Sequence, residues 1–345
     1  MPRPCFPVPL ARTRLAAPRV SWPRHYASSS SAKPSLNVPS TSGGPQAPQD
    51  YCASLVKRLD PEAWLCSYFW PRRERNRWLA WRAFNPALAA MRFQFWRDAL
   101  TAIFAPPGSK PVPQHPVAVL LADMRQNRPV QKYYLSQLID TRVSGLASTS
   151  YVARSDNFQA KLLSQPSSSA SLESHIASHG PLSTSLLLGP LPLLLPPSHP
   201  ETSHMSHTLS HLSTLLTTVS LLRNLPVLVS SKRQINIPSD VCAKYGIVEE
   251  QVLRKGAEAT GLRDGLWEIG TRGMDELITA RRDLKGTSGK VEPSSVMPLF
   301  LSAVPAEAYL KRLEEHDFDV FSPELQKHNW RLAPRIWMRY QSGKL

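Results

Sequence analysis

Leu221–Ile247, LLRNLPVLVSSKRQINIPSDVCAKYGI, is the stretch on which the reading of this chain turns. It opens on apolar residues around Arg223 and reaches Asn224, Val227 and Leu228 without a single carboxylate. None of the three offers a charged oxygen: Val and Leu have no donor atom, and Asn has only a neutral carbonyl. A short loop leads through Lys232 and Arg233 to Ile235, Ile237, Pro238, Asp240 and Gly246. Gln234–Ile237 reads as an extended loop, because the residue before a proline is pushed out of the helical region.

Working outward, helical periodicity dominates. Trp78, Trp81, Phe84 and Leu88 share one face of a helix over Arg77–Ala90, and Met91, Phe95 and Ala99 recur beside Trp96, Leu100 and Ile103 over Met91–Phe104. Further helices are expected over Pro116–Gln126, Val130–Val143, Ser203–Leu222, Glu249–Lys255 and Leu262–Leu284. Ser294–Val304, Pro305–His316 and Pro334–Gln341 complete the set. No Gly-rich phosphate loop and no strand alternation appears, so nothing favours a nucleotide-binding α/β domain, and the dominant helix signals give an all-α fold.

Residues 1–49 contain no Asp or Glu but carry Arg3, Arg12, Arg14, Arg19, Arg24 and Lys33, with a run from Ser28 to Ser31. That composition fits a mitochondrial transit peptide over residues 1–26, with Arg24-His25-Tyr26-Ala27 as the processing site. Residues 27–49 then read as a Ser/Pro/Gly-rich linker, and residues 50–341 as the folded domain. The net charge of +15 falls to +10 without the leader, which suits an anionic membrane face or an acidic protein surface. No nucleic-acid module accompanies this charge, so nucleic acid is not expected as a partner. Cys52, Cys66 and Cys242 lack metal or disulfide spacing and are expected as reduced packing residues. The apolar run Leu186–Leu195 is interrupted by Gly189, Pro190 and Pro192 and is too short for a span, so a soluble or peripheral protein is expected.

Several motifs, in order, carry a family resemblance. They are Ala83-Phe84-Asn85, Met91-Arg92-Phe93-Gln94-Phe95-Trp96, His115-Pro116-Val117-Ala118, Leu138-Ile139-Asp140-x-Arg142, Leu222-Arg223-x-x-Pro226 and Phe318-Asp319-Val320-Phe321-Ser322-Pro323-x-Leu325-Gln326. With the skeleton from Arg233 to Gly246, they resemble the squalene/phytoene synthase family over roughly Tyr51 to Tyr340. The first two runs narrow the resemblance to the branch of that family that acts in mitochondrial complex I assembly. Active synthases hold magnesium with two Asp-rich clusters, whose positions fall here on Ala89, Ala90 and Phe93 and on Asn224, Val227 and Leu228. The resemblance therefore implies an isoprenoid (terpenoid) synthase-like bundle of antiparallel helices, a pseudo-enzyme with no catalytic residue, no metal and no cofactor. Its implied role is in complex I assembly, through contacts with complex I subunits or assembly intermediates, on the matrix side of the inner membrane. The sequence departs from the family where Ala90 runs straight into Met91, and where Gly189-Pro190-Leu191-Pro192 stands in place of a regular helical hairpin.

Alternatives stand beside these readings. Arg223, Lys232 and Arg233 could bind an anionic headgroup, pair with internal carboxylates or face solvent. His207 and His211 form an i, i+4 pair able to chelate a transition metal, but their own helix offers no neighbouring acid, and polar packing is the simpler reading. Leu212, Leu215 and Leu216 could fill the space a prenyl chain would occupy, with Ser213 and Thr217 as the small residues there. The cationic, aromatic carboxyl end reads as a packed helix broken by Pro334, with peripheral contact to an anionic membrane as its alternative. The rival functions are an active prenyl-diphosphate-using synthase and a lipid or isoprenoid carrier.

Overall fold

Aromatic residues at helical spacing dictate the first layer of the fold. In the computed structural model, which describes residues 47–88, 91–106, 108–154, 169–327 and 329–345, Trp78, Trp81 and Phe84 are all buried on one helix. The leader over residues 1–26, most of the linker, Ala89, Ala90 and with them the Ala90-Met91 turn lie outside the described residues. Helices α1 (Pro48–Leu59), α2 (Pro61–Ser67) and α3 (Arg72–Ala87) lead into α4 (Phe93–Ile103), α5 (Pro116–Asn127) and α6 (Lys132–Arg154). Trp70 stacks on Trp78 with centroids 4.8 Å apart, and Phe84 meets Trp96 edge-on at 5.1 Å. Trp96 donates its indole N–H to the Ala87 carbonyl at 3.2 Å, so the apolar contact between α3 and α4 also has a fixed orientation.

The second layer is a long helical hairpin, α7 (Leu172–Leu188) and α8 (Thr202–Lys232). Here Gly189-Pro190-Leu191-Pro192 does not displace the hairpin, as its sequence suggested; it makes the turn, which tightens into a 3₁₀ segment over Leu191–Leu193. Buried hydroxyls tie the hairpin together, Thr217 donating to Ser183 and Thr184 to Ser213, each at 3.0 Å. Helix α8 runs on past the expected end at Leu222 and takes Pro226 into its interior. That proline removes one helical donor, and Asn236 donates its side-chain amide to the neighbouring Leu221 carbonyl at 3.0 Å. By length and a mean hydropathy of 1.4, α8 could cross a membrane, yet half of that window is buried in the bundle and it serves as the core helix.

Helices α9 (Ser239–Tyr245), α10 (Glu249–Lys255) and α11 (Leu262–Asp283) follow, with α11 packed along α8. Gly273 allows that approach, since a Cβ there would lie 2.4 Å from Thr218 Oγ1 and 3.6 Å from Leu215 Cδ1. The helix expected over Ser294–Val304 is instead a 3₁₀ turn, Ser294–Val296, and the short α12 (Met297–Phe300). It breaks at Leu301-Ser302, ahead of α13 (Ala303–Glu315), whose first turn holds Pro305. The chain closes with α14 (Pro323–Gln326) and α15 (Leu332–Ser342). Pro334 starts α15 rather than breaking it: it lies in the first turn, where backbone donors have no helical partner to lose. Among the described residues the only β pairing is the isolated bridge between Lys290 and Lys344, so the all-α expectation holds.

Candidate functional site

The positions to which the family resemblance assigns a metal cluster, Asn224, Val227 and Leu228, lie on α8. Asn224 is exposed, Val227 is 59 % exposed and Leu228 is half-buried, so the turn offers solvent an amide and two aliphatic side chains. From the other cluster, Phe93 is half-buried against the core at the start of α4. Asn85, three residues before Leu88, accepts two hydrogen bonds from Arg142, at 3.1 Å from Nε and 2.9 Å from Nη2. Two of the sequence motifs thus meet in one structural contact between α3 and α6.

The three basic residues separate. Arg223 pairs with Glu62 through both guanidinium nitrogens, at 2.8 and 3.0 Å, donates to the Pro305 carbonyl at 3.3 Å and lies 4.6 Å over the Tyr309 ring. Burial pushes the Tyr309 hydroxyl up to about 12, so the ring under Arg223 stays neutral. Lys232 and Arg233 are exposed at the far end of α8, about 14 Å along the helix from Arg223. Arg233 ends the helix in the left-handed region, with φ of 53°. Internal pairing is therefore the fate of Arg223 and solvent that of the other two, and no basic triad converges on a diphosphate.

The surviving skeleton around them has a packing role. Ile235 and Ile237 are buried, the Ile235 amide donates to Glu249 at 3.2 Å, and Gly246 ends α9 at a φ of 65°. Asp240 does more than serve its own first turn: its Oδ2 accepts the Leu172 amide at 3.1 Å, capping α7 across the chain. His115 caps α5 by accepting the Val117 amide at 3.3 Å while its ring sits edge-on to Trp96, so that motif too is structural.

Of the residues expected along a prenyl-chain space, all are buried except Leu216, which is half-buried. Leu212 and Leu215 are wholly buried on α8, and Ser213 and Thr217 are spent on hydroxyl bonds to α7. A surface groove of about 280 Å³ lies beside Arg223, and its walls include the Arg223–Glu62 pair together with Arg312 and Lys327, the last paired with Glu324. Cys52 and Cys66 are free buried thiols, pushed up to about 12 by burial, as packing cysteines should be.

Sequence reasoning missed the acids beside the histidines. His211 Nδ1 lies 2.5 Å from Glu276 Oε2, and Asp283 Oδ2 lies 3.8 Å from the Nε2 atoms of both His207 and His211. Both carboxylates come from α11, and only the packing of α8 on α11 brings them into reach.

The geometry agrees with known proteins on three levels. Among solved structures, a dehydrosqualene synthase superposes with a TM-score of 0.65 at 14% identity, covering 86% of this chain and 95% of that one. A squalene synthase from Alicyclobacillus acidocaldarius gives a TM-score of 0.58 at 16% identity, covering 79% and 95%. At those identities the likeness establishes the fold alone. Curated relatives named "NADH dehydrogenase (ubiquinone) complex I, assembly factor 6" are 30% identical in Rattus norvegicus, over 86% of this chain and 83% of theirs, and 28% identical in Bos taurus, over 94% and 92%. The squalene/phytoene synthase family pattern matches residues 56–332, from α1 to the start of α15. With a synthase fold across the described bundle and that match across most of its length, the chain belongs to the squalene/phytoene synthase family.

Proposed function

We propose that this chain is a non-enzymatic mitochondrial protein that promotes assembly of complex I on a scaffold shared with prenyl-diphosphate synthases. One observation carries the reading: Asn224, Val227 and Leu228 occupy the helix turn that magnesium chemistry would need to be acidic, while Arg223 is already satisfied by Glu62. The relatives named as complex I assembly factors support the same direction. A lipid-carrier role is disfavoured, because Leu212, Leu215 and the hydroxyl pairs of α7 and α8 fill the interface where a prenyl chain would lie. The expected partners are complex I subunits or assembly intermediates.

A peripheral position on the matrix face of the inner membrane is part of the proposal. The arginine-rich, acid-free leader supports import. At the carboxyl end Leu332 and Ile336 anchor α15, leaving Trp330 71 % exposed and Trp337 and Met338 each 55 % exposed near Arg331 and Lys344. Cationic and aromatic residues in that mixture suit an anionic lipid face or an acidic partner.

Loss of the protein is expected to lower assembled complex I several-fold on native gels while prenyl-derived lipids stay at control levels, and an Asn224→Ala variant should restore the complex. Normal complex I with depleted prenyl lipids would reverse the assignment. In the same mitochondria, amino-terminal sequencing should find a mature form starting near Ala27; an intact Met1 would contradict the leader.

A further inference from the structure

We propose that His207, His211 and Asp283 form a zinc site that clasps α8 to α11, distinct from the degenerate cluster positions at Asn224, Val227 and Leu228. The site lies about 20 Å along α8 from Asn224, at 1.5 Å per residue, so the two are separate by geometry. His207 and His211 are one helical turn apart and turn their Nε2 atoms toward each other, 3.4 Å apart. Asp283, at the end of α11, completes a triangle with its Oδ2 at 3.8 Å from each nitrogen. The point equidistant from the three atoms is about 2.1 Å from each, which is the zinc–nitrogen and zinc–oxygen bond length.

The angular spread selects the metal. Right-angle ligation at about 2.1 Å would bring neighbouring ligand atoms to about 3.0 Å, whereas tetrahedral ligation places them near 3.4 Å. The observed separations of 3.4, 3.8 and 3.8 Å exceed what right-angle ligation allows; at about 2.1 Å they hold an ion in the plane of the three atoms, and closing the two longer separations by about 0.4 Å gives the tetrahedral arrangement of zinc rather than that of an octahedral ion. Two imidazoles and one carboxylate leave a fourth position, and the His207 side chain is 66 % exposed, so water can fill it.

Two further observations point to a cation. Asp283 Oδ2 is sealed from solvent and accepts no hydrogen bond from any protein group, and a buried carboxylate oxygen needs a partner. At 3.8 Å both imidazoles are too distant to be that partner directly. On the other side of His211, Glu276 is placed to accept a hydrogen bond from Nδ1–H, the arrangement that turns the Nε2 lone pair toward the triangle. Glu276 is itself held by Arg272, which also reaches Glu173 on α7 at 2.8 Å. The carboxylate–histidine pairing is thus anchored by a third helix, and a metal here would lock the hairpin to α11. His204, on the same helix, pairs instead with Glu201 and lies outside the triangle.

The test is zinc binding by the untagged full chain, read by metal analysis after dialysis and by cobalt(II) absorption. One zinc per chain is expected, with a tetrahedral cobalt spectrum. His207→Ala should weaken binding at least 100-fold, Glu276→Gln by about 10–100-fold, and His204→Ala should change nothing. Because His207 is mostly exposed, its variant should keep the wild-type circular dichroism, so a loss of zinc there reports ligation rather than unfolding. Zinc that remains bound in a His207→Ala, His211→Ala double variant, or no zinc above background in the wild type, would overturn the site.

Discussion

Gly189→Ala is expected to destabilise the chain by about 3 kcal/mol, enough to remove a large share of the stability of an ordinary domain. The reason is space and not backbone freedom, since Gly189 has an ordinary helical φ of −56°. A Cβ there would stand 1.9 Å from Trp81 Cζ2 and 2.6 Å from the Ser185 carbonyl oxygen. Trp81 cannot yield: it is wholly buried and donates its indole N–H to that same carbonyl at 3.0 Å. The substitution must push out either the tryptophan at the centre of α3 or the turn that joins α7 to α8. Gly286→Ala, where nothing lies within 4 Å, is the control and should be neutral within about 0.5 kcal/mol. Urea denaturation of the two variants decides the point, and equal midpoints would mean that Trp81 does not pack on the hairpin turn.

Glu307→Gln should cost about 2 kcal/mol and remove a step in acid stability. The Glu307 side chain is only 9 % exposed and takes hydrogen bonds from Lys311 at 2.7 Å, Arg281 at 2.8 Å and Arg339 at 3.3 Å. Arg281 also donates to the terminal Leu345 carbonyl at 3.0 Å, so one carboxylate gathers α11, α13, α15 and the chain end. Removing its charge leaves three cations converging without a counter-ion, a loss moderated because those cations are partly solvated. Burial pulls the Glu307 carboxyl upward, but hydrogen bonds from Lys311 and Arg281 outweigh it and hold its pKa below the ordinary 4.5. A depressed folded-state pKa gives stability that is present above the ordinary value and lost as pH falls through the folded one. Wild type should therefore lose stability below about pH 4.5 more steeply than Glu307→Gln. Parallel acid-stability curves would assign the carboxylate no such role.

Periodicity made the aromatic layer legible, because Trp78, Trp81, Phe84 and Leu88 are all buried as their spacing required. It failed for α7, where Ser183 and Ser185 stand on the buried face. A polar residue there looks like a surface residue until its partner helix is known. The end of α8 was hidden for a related reason: Pro226 signals a break locally, yet the helix carries it in its interior and runs on to Lys232. The candidate site divides the same way. The absence of carboxylates at Asn224, Val227 and Leu228 is a property of the residues themselves and needs no fold. The Arg223–Glu62 pair spans 161 residues and the His211–Glu276 pair spans 65, distances at which no sequence pattern couples two side chains. Asp240 falls between: the sequence singles it out beside Pro238, and only the fold shows that it caps α7.

The central claim is that a synthase scaffold persists here without synthase chemistry. Its most direct test is pyrophosphate release by the purified full chain from farnesyl and geranylgeranyl diphosphate across a magnesium titration. The account predicts no release above buffer at any magnesium concentration, and no change on substituting Asn224, because one neutral amide cannot replace several carboxylates. Magnesium-dependent release that disappears in the Asn224 variant would contradict it.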